Sequence, residues 1–286
     1  NYSSADSYVP PEDPILQQRL EWFQDQKLAL MVHWGVYNQL GMVASWALSD
    51  EDAEWSRKTV DWTDDGEVFK RQYRALNRAF DPVAFQPEEW AKMAKECGFR
   101  YLILTTKHHD GFCLWDTAYT EYKTTAEDCP FHTHKYADIV RAMFDAFRNE
   151  GLGIGAYFSK ADWHCPNYWE KEKALTGKTT RNPTYDPKEN PEAWERFRAF
   201  TRDQILELGK QYGRLDILWF DAADYQSLPF DGNIYKQTFI PNNSKPHSGN
   251  KGGLVIHRNR NLFDFPGNIR FHIHCHHYPN DTGNHD

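Results

Sequence analysis

The chain has 286 residues, of which 40% are hydrophobic and 26% charged, a composition typical of one large globular domain and not of a disordered protein. Its formal charge of −8 argues against nucleic acid or an anionic membrane surface as the main partner, so a neutral polar ligand fits better. The five scattered cysteines show no CxxC spacing and indicate neither a zinc ribbon nor a disulfide framework. No apolar run approaches the roughly 20 residues of a membrane span, and the start, NYSSADSYVPPEDP, does not have the pattern of a signal peptide.

Strand-like apolar runs alternate with amphipathic helical stretches along the chain. The first strand is expected over residues 28–37, and a helix that begins at Pro87 and stops at Gly98 leads into a strand over 99–106. A helix followed by an apolar strand, repeated roughly every 50 residues, is typical of a parallel sheet covered by helices. The pattern continues with helices over 136–153 and 191–215, and with strands over 153–159, 215–223, 253–258 and 268–276.

Two architectures share this pattern, a closed (β/α)8-like barrel and an open doubly wound sheet. No GxGxxG follows the first strand, where HWGVYN stands instead, so a dinucleotide site is not indicated. Several strands end in His, Asp, Tyr or Trp, and catalytic groups that arrive from the ends of many strands are typical of a barrel. We therefore predict a single (β/α) barrel domain over residues 1–286, irregular or incomplete at its carboxyl end, with segment 44–77 forming loops over the site.

Polar residues end two of the predicted strands. The stretch LTTKHHDGFCLW, residues 104–115, contains His108 and His109, and since neighbours on a strand point to opposite sides, the two rings are not expected to share one apolar environment. The run LDILWF ends in Asp221, which either caps a following helix or provides a catalytic carboxylate. The side chains expected to meet a ligand at this edge of the sheet are Asp221, His33, Lys107, His108, His109 and Tyr157.

A sugar would suit such a site. Each sugar hydroxyl both donates and accepts a hydrogen bond, and a neutral imidazole offers one donor and one acceptor. Aromatic residues make up 15% of the chain, and flat rings suit the apolar faces of sugars, although an aromatic-rich core would explain the same composition. The candidate ring contacts are Trp34, Trp46, Trp115 and Trp219.

Metal binding is an alternative use of the histidines. His108 and His109 do not easily ligate one ion from a strand, and no HExxH motif is present. In HIHCHH, His272, His274 and His276 fall on one face of a predicted strand, where they either chelate zinc or lie exposed to solvent. The sequence therefore assigns no metal to the predicted site.

Four segments stand in the order and spacing of a known family: HWGVYN at 33–38, EEWAKMAKECGFRYLILTTKHHDGFCLWDT at 88–117, NEGLGIGAYFSKADWH at 149–164 and GRLDILWFDAA at 213–223. Over roughly residues 15–225 the chain resembles the α-L-fucosidases of glycoside hydrolase family 29. The resemblance implies a (β/α) barrel that removes terminal α-L-fucose from a fucosylated oligosaccharide or glycoconjugate with retention, without a metal or other cofactor. It also implies a secreted, periplasmic or lysosome-like compartment, and we expect the carboxyl-terminal β-sandwich of the family to be absent.

The resemblance implies roles for single residues. Asp221 matches the family's nucleophile, Trp46 resembles a loop aromatic near the sugar, and Arg258 in LVIHR resembles a site arginine. Retention requires a second carboxyl group about 5 to 5.5 Å from the first. The residues that match those holding the fucose ring are His33, His108, His109, Tyr157 and Trp219.

The second carboxyl group departs from the family pattern, which places a glutamate after the arginine strand. No glutamate follows Glu207, so Asp264 is the nearest substitute as general acid/base, with Glu54 as another candidate. Ala44 also stands where relatives commonly carry a glutamate before Ser-Trp. The expected function is a retaining α-L-fucosidase, and the alternative is a fucose-binding, lectin-like barrel that lacks its general acid/base.

Overall fold

The computed structural model describes residues 14–58, 60–221 and 254–257. Its strands pair in parallel and in chain order, which confirms the expected α/β architecture with a parallel sheet. The strands are β1 (Ala29–Val32), β2 (Tyr101–Lys107), β3 (Gly153–Ser159), β4 (Ile217–Asp221) and β5 (Leu254–His257).

Helices precede or connect these strands, and several begin at side-chain caps. Asp138 Oδ1 accepts a hydrogen bond from the Arg141 backbone N–H at 2.9 Å, and Asn190 Oδ1 accepts one from Ala193 at 3.2 Å. The described helices are α1 (Pro14–Gln26), α2 (Ala53–Ser56), α3 (Gly66–Arg74), α4 (Pro87–Glu96), α5 (Ile139–Asn149), α6 (Lys173–Thr176) and α7 (Pro191–Gln211).

Two expectations about the first third of the chain are wrong in detail. The first strand ends at Val32, because a 3-10 helix over Val36–Leu40 follows it. At the start of this 3-10 helix, the Gly35 backbone N–H donates a 2.9 Å hydrogen bond to Asn38 Oδ1. Segment 44–77 is also not only loop. It contains α2 and α3, and Asp65 caps α3 by accepting hydrogen bonds from two backbone N–H groups.

The sheet has two faces with different partners, because successive side chains of a strand alternate. The helix face carries Leu102, Leu104, Ile154, Ala156, Phe158, Leu218 and Phe220, which belong to the large core that includes α4 and α5. The opposite face, here called the site face, carries Tyr101, Ile103, Tyr157, Ile217 and Trp219.

Helix α1 covers the site face at the amino ends of the strands. Its Trp22 ring lies 6.1 Å from the ring of Tyr101, and Arg19 Nη2 donates to Asp216 Oδ1 at 2.7 Å. Ligand access at this end is therefore blocked by packed aromatic rings, while the carboxyl ends of the strands carry the polar residues. None of the described helices is long and apolar enough to span a bilayer.

Candidate active site

Strand β2 ends in a register shift that decides which way its polar residues point. Between Thr105 and Lys107 the pairing slips by one residue, so that Lys107 pairs with Phe158 and lies on the helix face. There Lys107 Nζ donates to Asp162 Oδ2 at 2.7 Å and to Gln204 Oε1 at 2.8 Å. The expectation that Lys107 meets a ligand beside the histidines is therefore wrong.

His108 and His109 lie beyond the last residue of β2, and both are buried. Their ring centroids are only 4.0 Å apart, and the His33 ring lies 4.9 Å from that of His108. The expectation that the adjacent histidines point to opposite sides is wrong because the strand alternation stops at Lys107. The two imidazoles instead share one site.

Asp221 is the last residue of β4 and is buried opposite Ser159 of β3 in the sheet register. The Tyr157 hydroxyl donates a short hydrogen bond to Asp221 Oδ2. One carboxylate oxygen of Asp221 and one ring nitrogen from each of His108 and His109 lie within 4.8 Å of one another. The structure thus brings together the carboxylate and the imidazoles that were predicted to meet.

A hydroxyl group is bonded to each of the three imidazoles and to the Asp221 carboxylate. Because the imidazoles are bonded through Nδ1, the Nε2 atom of each ring lies on the opposite side from its partner. The pairs are His33 Nδ1 with the Tyr37 hydroxyl at 2.6 Å, His108 Nδ1 with Ser45 Oγ at 2.5 Å, His109 Nδ1 with Ser159 Oγ at 2.5 Å, and Asp221 with the Tyr157 hydroxyl.

The hydrogen bonds of Ser159 fix the tautomer of His109. Ser159 Oγ donates its proton to the Ala161 carbonyl oxygen at 2.7 Å, so toward His109 it can only accept. His109 Nδ1 therefore carries the proton when the ring is neutral, and Nε2 is the unprotonated ring nitrogen. Burial also lowers the pKa of His33, although the nearby Asp221 charge opposes this, and keeps that ring neutral near pH 7.

Aromatic rings border the imidazoles. The Trp46 ring lies 4.8 Å from that of His109 and 5.8 Å from that of His108, and the Arg181 guanidinium covers Trp46 at 4.5 Å. Arg181 is held in turn by Asp52, with Nη2 2.5 Å from Oδ1. Trp46 therefore lies beside the predicted site with its ring fixed by a stacked cation.

Trp219 lies on the site face, 6.3 Å from Tyr157, and its buried Nε1 has no hydrogen-bond partner among the described residues. The other two tryptophan candidates lie elsewhere. Trp34 packs against Phe85 at 5.0 Å, and Trp115 is fully buried with its Nε1 donating to Glu207 at 2.8 Å. For Trp34 and Trp115 the structure supports the alternative of a core position, because both are packed in the core on the helix side.

The turn after the histidines is held by two buried carboxylates. Gly111 has a φ of +81°, and a Cβ there would collide with the Asp162 carboxylate, so only glycine fits. Asp110 Oδ1 accepts from the Phe112 backbone N–H at 3.1 Å and Oδ2 from the Tyr73 hydroxyl at 2.8 Å. Burial raises the pKa of Asp110 to about 6. Asp110 therefore orders the turn that carries the histidines.

Some predicted residues lie outside the described part of the chain. These are Arg258, Asp264 and the zinc candidates His272, His274 and His276, and each stays a prediction. Glu54, the other acid/base candidate, lies in α2 and is exposed.

Sequence reasoning missed the residues that hold the site. Ser159 could have been found, because it stands two residues after Tyr157 and so shares its face of β3. Ser45 gives no such signal, since it reaches His108 across 63 positions of sequence. Arg181 and Asp162 likewise act through long-range contacts that no local pattern shows.

The geometry defines an α/β protein with a buried carboxylate, imidazoles and aromatic rings at the carboxyl ends of its parallel strands. The family model for alpha-L-fucosidase matches residues 1–261. The plasma alpha-L-fucosidase of Rattus norvegicus is 26% identical over 241 residues, which cover 84% of this chain and 50% of that protein. The chain belongs to the alpha-L-fucosidase family.

Two solved structures show the same likeness. Alpha-L-fucosidase isoenzyme 1 from Paenibacillus thiaminolyticus has 30% identity and a TM-score of 0.56, covering 78% of this chain and 49% of that one. Alpha-L-fucosidase AlfC from Lactobacillus casei, solved with the product α-L-fucose, has 28% identity and a TM-score of 0.57, covering 77% and 66%. The chain spans half or less of the length of the first curated relatives it matches, 34% and 50%.

Proposed function

We propose that this protein is a retaining exo-α-L-fucosidase that hydrolyses terminal α-L-fucose from fucosylated oligosaccharides or glycoconjugates. The observation that carries the proposal is the position of Asp221, a buried carboxylate at the tip of β4 that lies with His108 and His109 in one cluster. Membership of the alpha-L-fucosidase family supports the same reaction.

In the proposed reaction, Asp221 attacks the anomeric carbon of fucose while a second carboxyl group protonates the leaving oxygen. Water then hydrolyses the covalent fucosyl ester, and the anomeric configuration is retained. The hydroxyl of Tyr157 orients the attacking carboxylate through its hydrogen bond to Oδ2. A buried carboxylate is costly in a pure binding site, where an asparagine would serve.

The imidazoles are proposed to read the hydroxyls of the sugar. His109 presents the lone pair of Nε2 and so accepts from a hydroxyl, a role supported by its bond to Ser159. His33 and Trp219 would complete the ring-binding surface, and Trp46 would cover the apolar edge of the sugar. Arg258 is proposed to approach from the end of β5.

The architecture and the second carboxyl group complete the proposal. The five parallel strands are proposed to be part of a (β/α)8-like barrel within a single domain, consistent with the polar groups at one end of every described inner strand. Asp264 is proposed as the general acid/base. Asp264 follows β5 in the sequence.

The test is hydrolysis of an aryl α-L-fucoside by the parent protein and by Asp221→Asn. We expect turnover by the parent, with α-L-fucose as the first product seen by NMR, and a loss on the order of 10⁴-fold or more in the variant. Asp216→Asn is the matched control, because Asp216 lies at the amino end of β4 and pairs with Arg19.

Two results would overturn the proposal: full turnover in Asp221→Asn, or inversion of configuration in the first product. Fucose binding by calorimetry, without turnover of even the activated fucoside, would identify the lectin-like alternative. Turnover of the aryl fucoside but not of a natural glycan would place the defect in the general acid, because an aryl leaving group needs little protonation.

A further inference from the structure

Two distant segments of the chain meet beside the site, one that carries Trp46 and one that carries Arg181. They are joined at Thr179, whose backbone N–H donates to Asp50 Oδ2 at 2.8 Å and whose carbonyl oxygen accepts from the Asp50 backbone N–H at 3.0 Å. The junction lies two residues before Arg181 in the sequence. It brings the guanidinium of Arg181 over the Trp46 ring, 4.5 Å from the ring centroid.

The guanidinium of Arg181 is itself held by Asp52. Its Nε donates to Oδ2 at 3.0 Å and its Nη2 donates to Oδ1 at 2.5 Å, the two-point geometry in which arginine binds a carboxylate. The Asp52 side chain is buried, and burial alone would raise its pKa, but the hydrogen bonds and charge of Arg181 hold the pKa below its usual value. Two parallel hydrogen bonds allow one orientation of the planar guanidinium, so Arg181 forms a fixed cover on the ring.

The backbone next to Trp46 needs such support. Ala44 has a φ of +53°, in the left-handed region that residues with a Cβ seldom adopt. A residue keeps this conformation only where the surrounding structure fixes it. On the site side, Ser45 Oγ is bonded to the His108 ring at 2.5 Å, and the Trp46 ring lies 4.8 Å from the ring of His109. The side-chain contacts of this segment therefore fix its backbone.

We propose that Arg181 is a positioning residue that, together with Asp52, fixes the ring of Trp46 against the imidazoles before the sugar binds. Its effect on sugar binding rests on the proposed function, whereas the fixed ring does not. A side chain that becomes ordered only on binding lowers the affinity, because its lost rotamer entropy opposes the binding free energy. Arg181 acts through Trp46 and is not proposed to touch the sugar.

The experiment is a double-mutant cycle of Arg181→Met and Trp46→Ala, which measures the affinity for L-fucose by calorimetry and the KM and kcat for an aryl α-L-fucoside. Arg181→Met is expected to weaken fucose binding and to raise KM about two- to tenfold, with kcat within about twofold of the parent. In the Trp46→Ala background the same substitution is expected to change neither, because no ring is left to position.

The matched control is Arg71→Met, which is expected to leave fucose binding and KM unchanged. Arg71 lies on α3 and forms an ion pair with Glu67, Nη2 2.6 Å from Oε1, and its side chain is about as exposed as that of Arg181, 55% against 50%. If a thermal melt shows that Arg181→Met is unfolded, Arg181→Lys takes its place, because lysine keeps the charge but not the two-point bond.

A second readout needs no sugar. In a crystal structure of Arg181→Met, the Trp46 ring is expected to occupy more than one rotamer or to leave its place beside His109. A single rotamer at the parent position would overturn the proposal, and so would an equal loss of fucose affinity with and without the Trp46 ring. A parent protein that neither binds L-fucose nor hydrolyses a fucoside would instead contradict the proposed function, and the crystal structure would then decide the positioning role alone.

Discussion

Two groups of polar side chains lie on opposite faces of the sheet where β2 ends, and they are built differently. On the helix face, the ammonium of Lys107 is neutralised by Asp162 and bonded by Gln204, with all three side chains inside the protein. On the site face, the imidazoles and Asp221 are bonded to neutral hydroxyls.

The difference separates a group that stabilises the fold from one that is proposed to bind a ligand. A buried ion that is paired with a fixed opposite charge is neutralised within the protein, as Lys107 is by Asp162. A hydroxyl orients an imidazole or a carboxylate by a hydrogen bond but, being uncharged, does not form an ion pair with it. The two groups are adjacent in sequence, at Lys107 and His108, and the register shift between Thr105 and Lys107 places Lys107 on the helix face.

The largest effect is expected from breaking the ion pair on the helix face. Lys107→Met leaves the Asp162 carboxylate buried without its ion-pair partner, and we expect the free energy of unfolding to fall by about 3 to 5 kcal/mol. Burial alone would raise the pKa of Asp162, but Lys107 holds it below its usual value, which indicates a strong pair. Urea denaturation followed by circular dichroism measures the change.

The matched control is the double variant Lys107→Met/Asp162→Asn. Asparagine carries no charge, and its Oδ1 can still accept from the backbone N–H groups of His164 and Cys165. Part of the lost stability should therefore return. A Lys107→Met protein within 1 kcal/mol of the parent would show that the pair does not stabilise the fold.

The comparison also explains how far the sequence could predict this molecule. The alternation of helices with apolar strands predicted the parallel sheet, and Asp221 and the histidines were found because they follow such strands directly. The direction of Lys107 could not be predicted, because a β-bulge of one residue turns it to the helix face and leaves no local signal. The hydroxyl of Ser45 reaches His108, and the amide of Gln204 reaches Lys107, through tertiary contacts that no sequence periodicity indicates.

A second test concerns His164, a neutral imidazole near the ion pair of Lys107 and Asp162. Burial, and then the charge of Arg74, lower the pKa of His164 to about 4, below the 6.5 of the unfolded chain. A depressed pKa contributes stability that is present above pH 6.5 and is lost as the pH falls toward 4. When the pH falls from 7 to 5, the titration of His164 alone should lower the free energy of unfolding by about 2 kcal/mol.

His164→Phe is expected to lose less stability than the parent over the same pH interval, because phenylalanine does not titrate. Phenylalanine also keeps a flat ring against Tyr122, on which His164 stacks at 4.1 Å. Urea midpoints at pH 7 and pH 5 give the difference between the two proteins. Equal losses in both would mean that protonation of His164 is not coupled to folding.

The smallest effect is expected on the site face, where Ser159 holds His109. Ser159→Ala removes the acceptor of the Nδ1 proton, so His109 can exchange tautomers and lose the lone pair on Nε2. One neutral hydrogen bond contributes about 0.5 to 1.5 kcal/mol, so kcat/KM for an aryl α-L-fucoside should fall roughly two- to tenfold.

A matched variant separates this positioning role from general destabilisation. Thr106 also has a buried hydroxyl, which donates to the Tyr157 carbonyl oxygen at 2.7 Å and touches no imidazole. Thr106→Val and Ser159→Ala should therefore lower the free energy of unfolding by similar amounts, about 1 kcal/mol. Only Ser159→Ala should lower kcat/KM, because only that hydroxyl is bonded to a ring that is proposed to contact the sugar. Equal losses of kcat/KM in the two variants would mean that Ser159 supports the sheet and not the tautomer of His109.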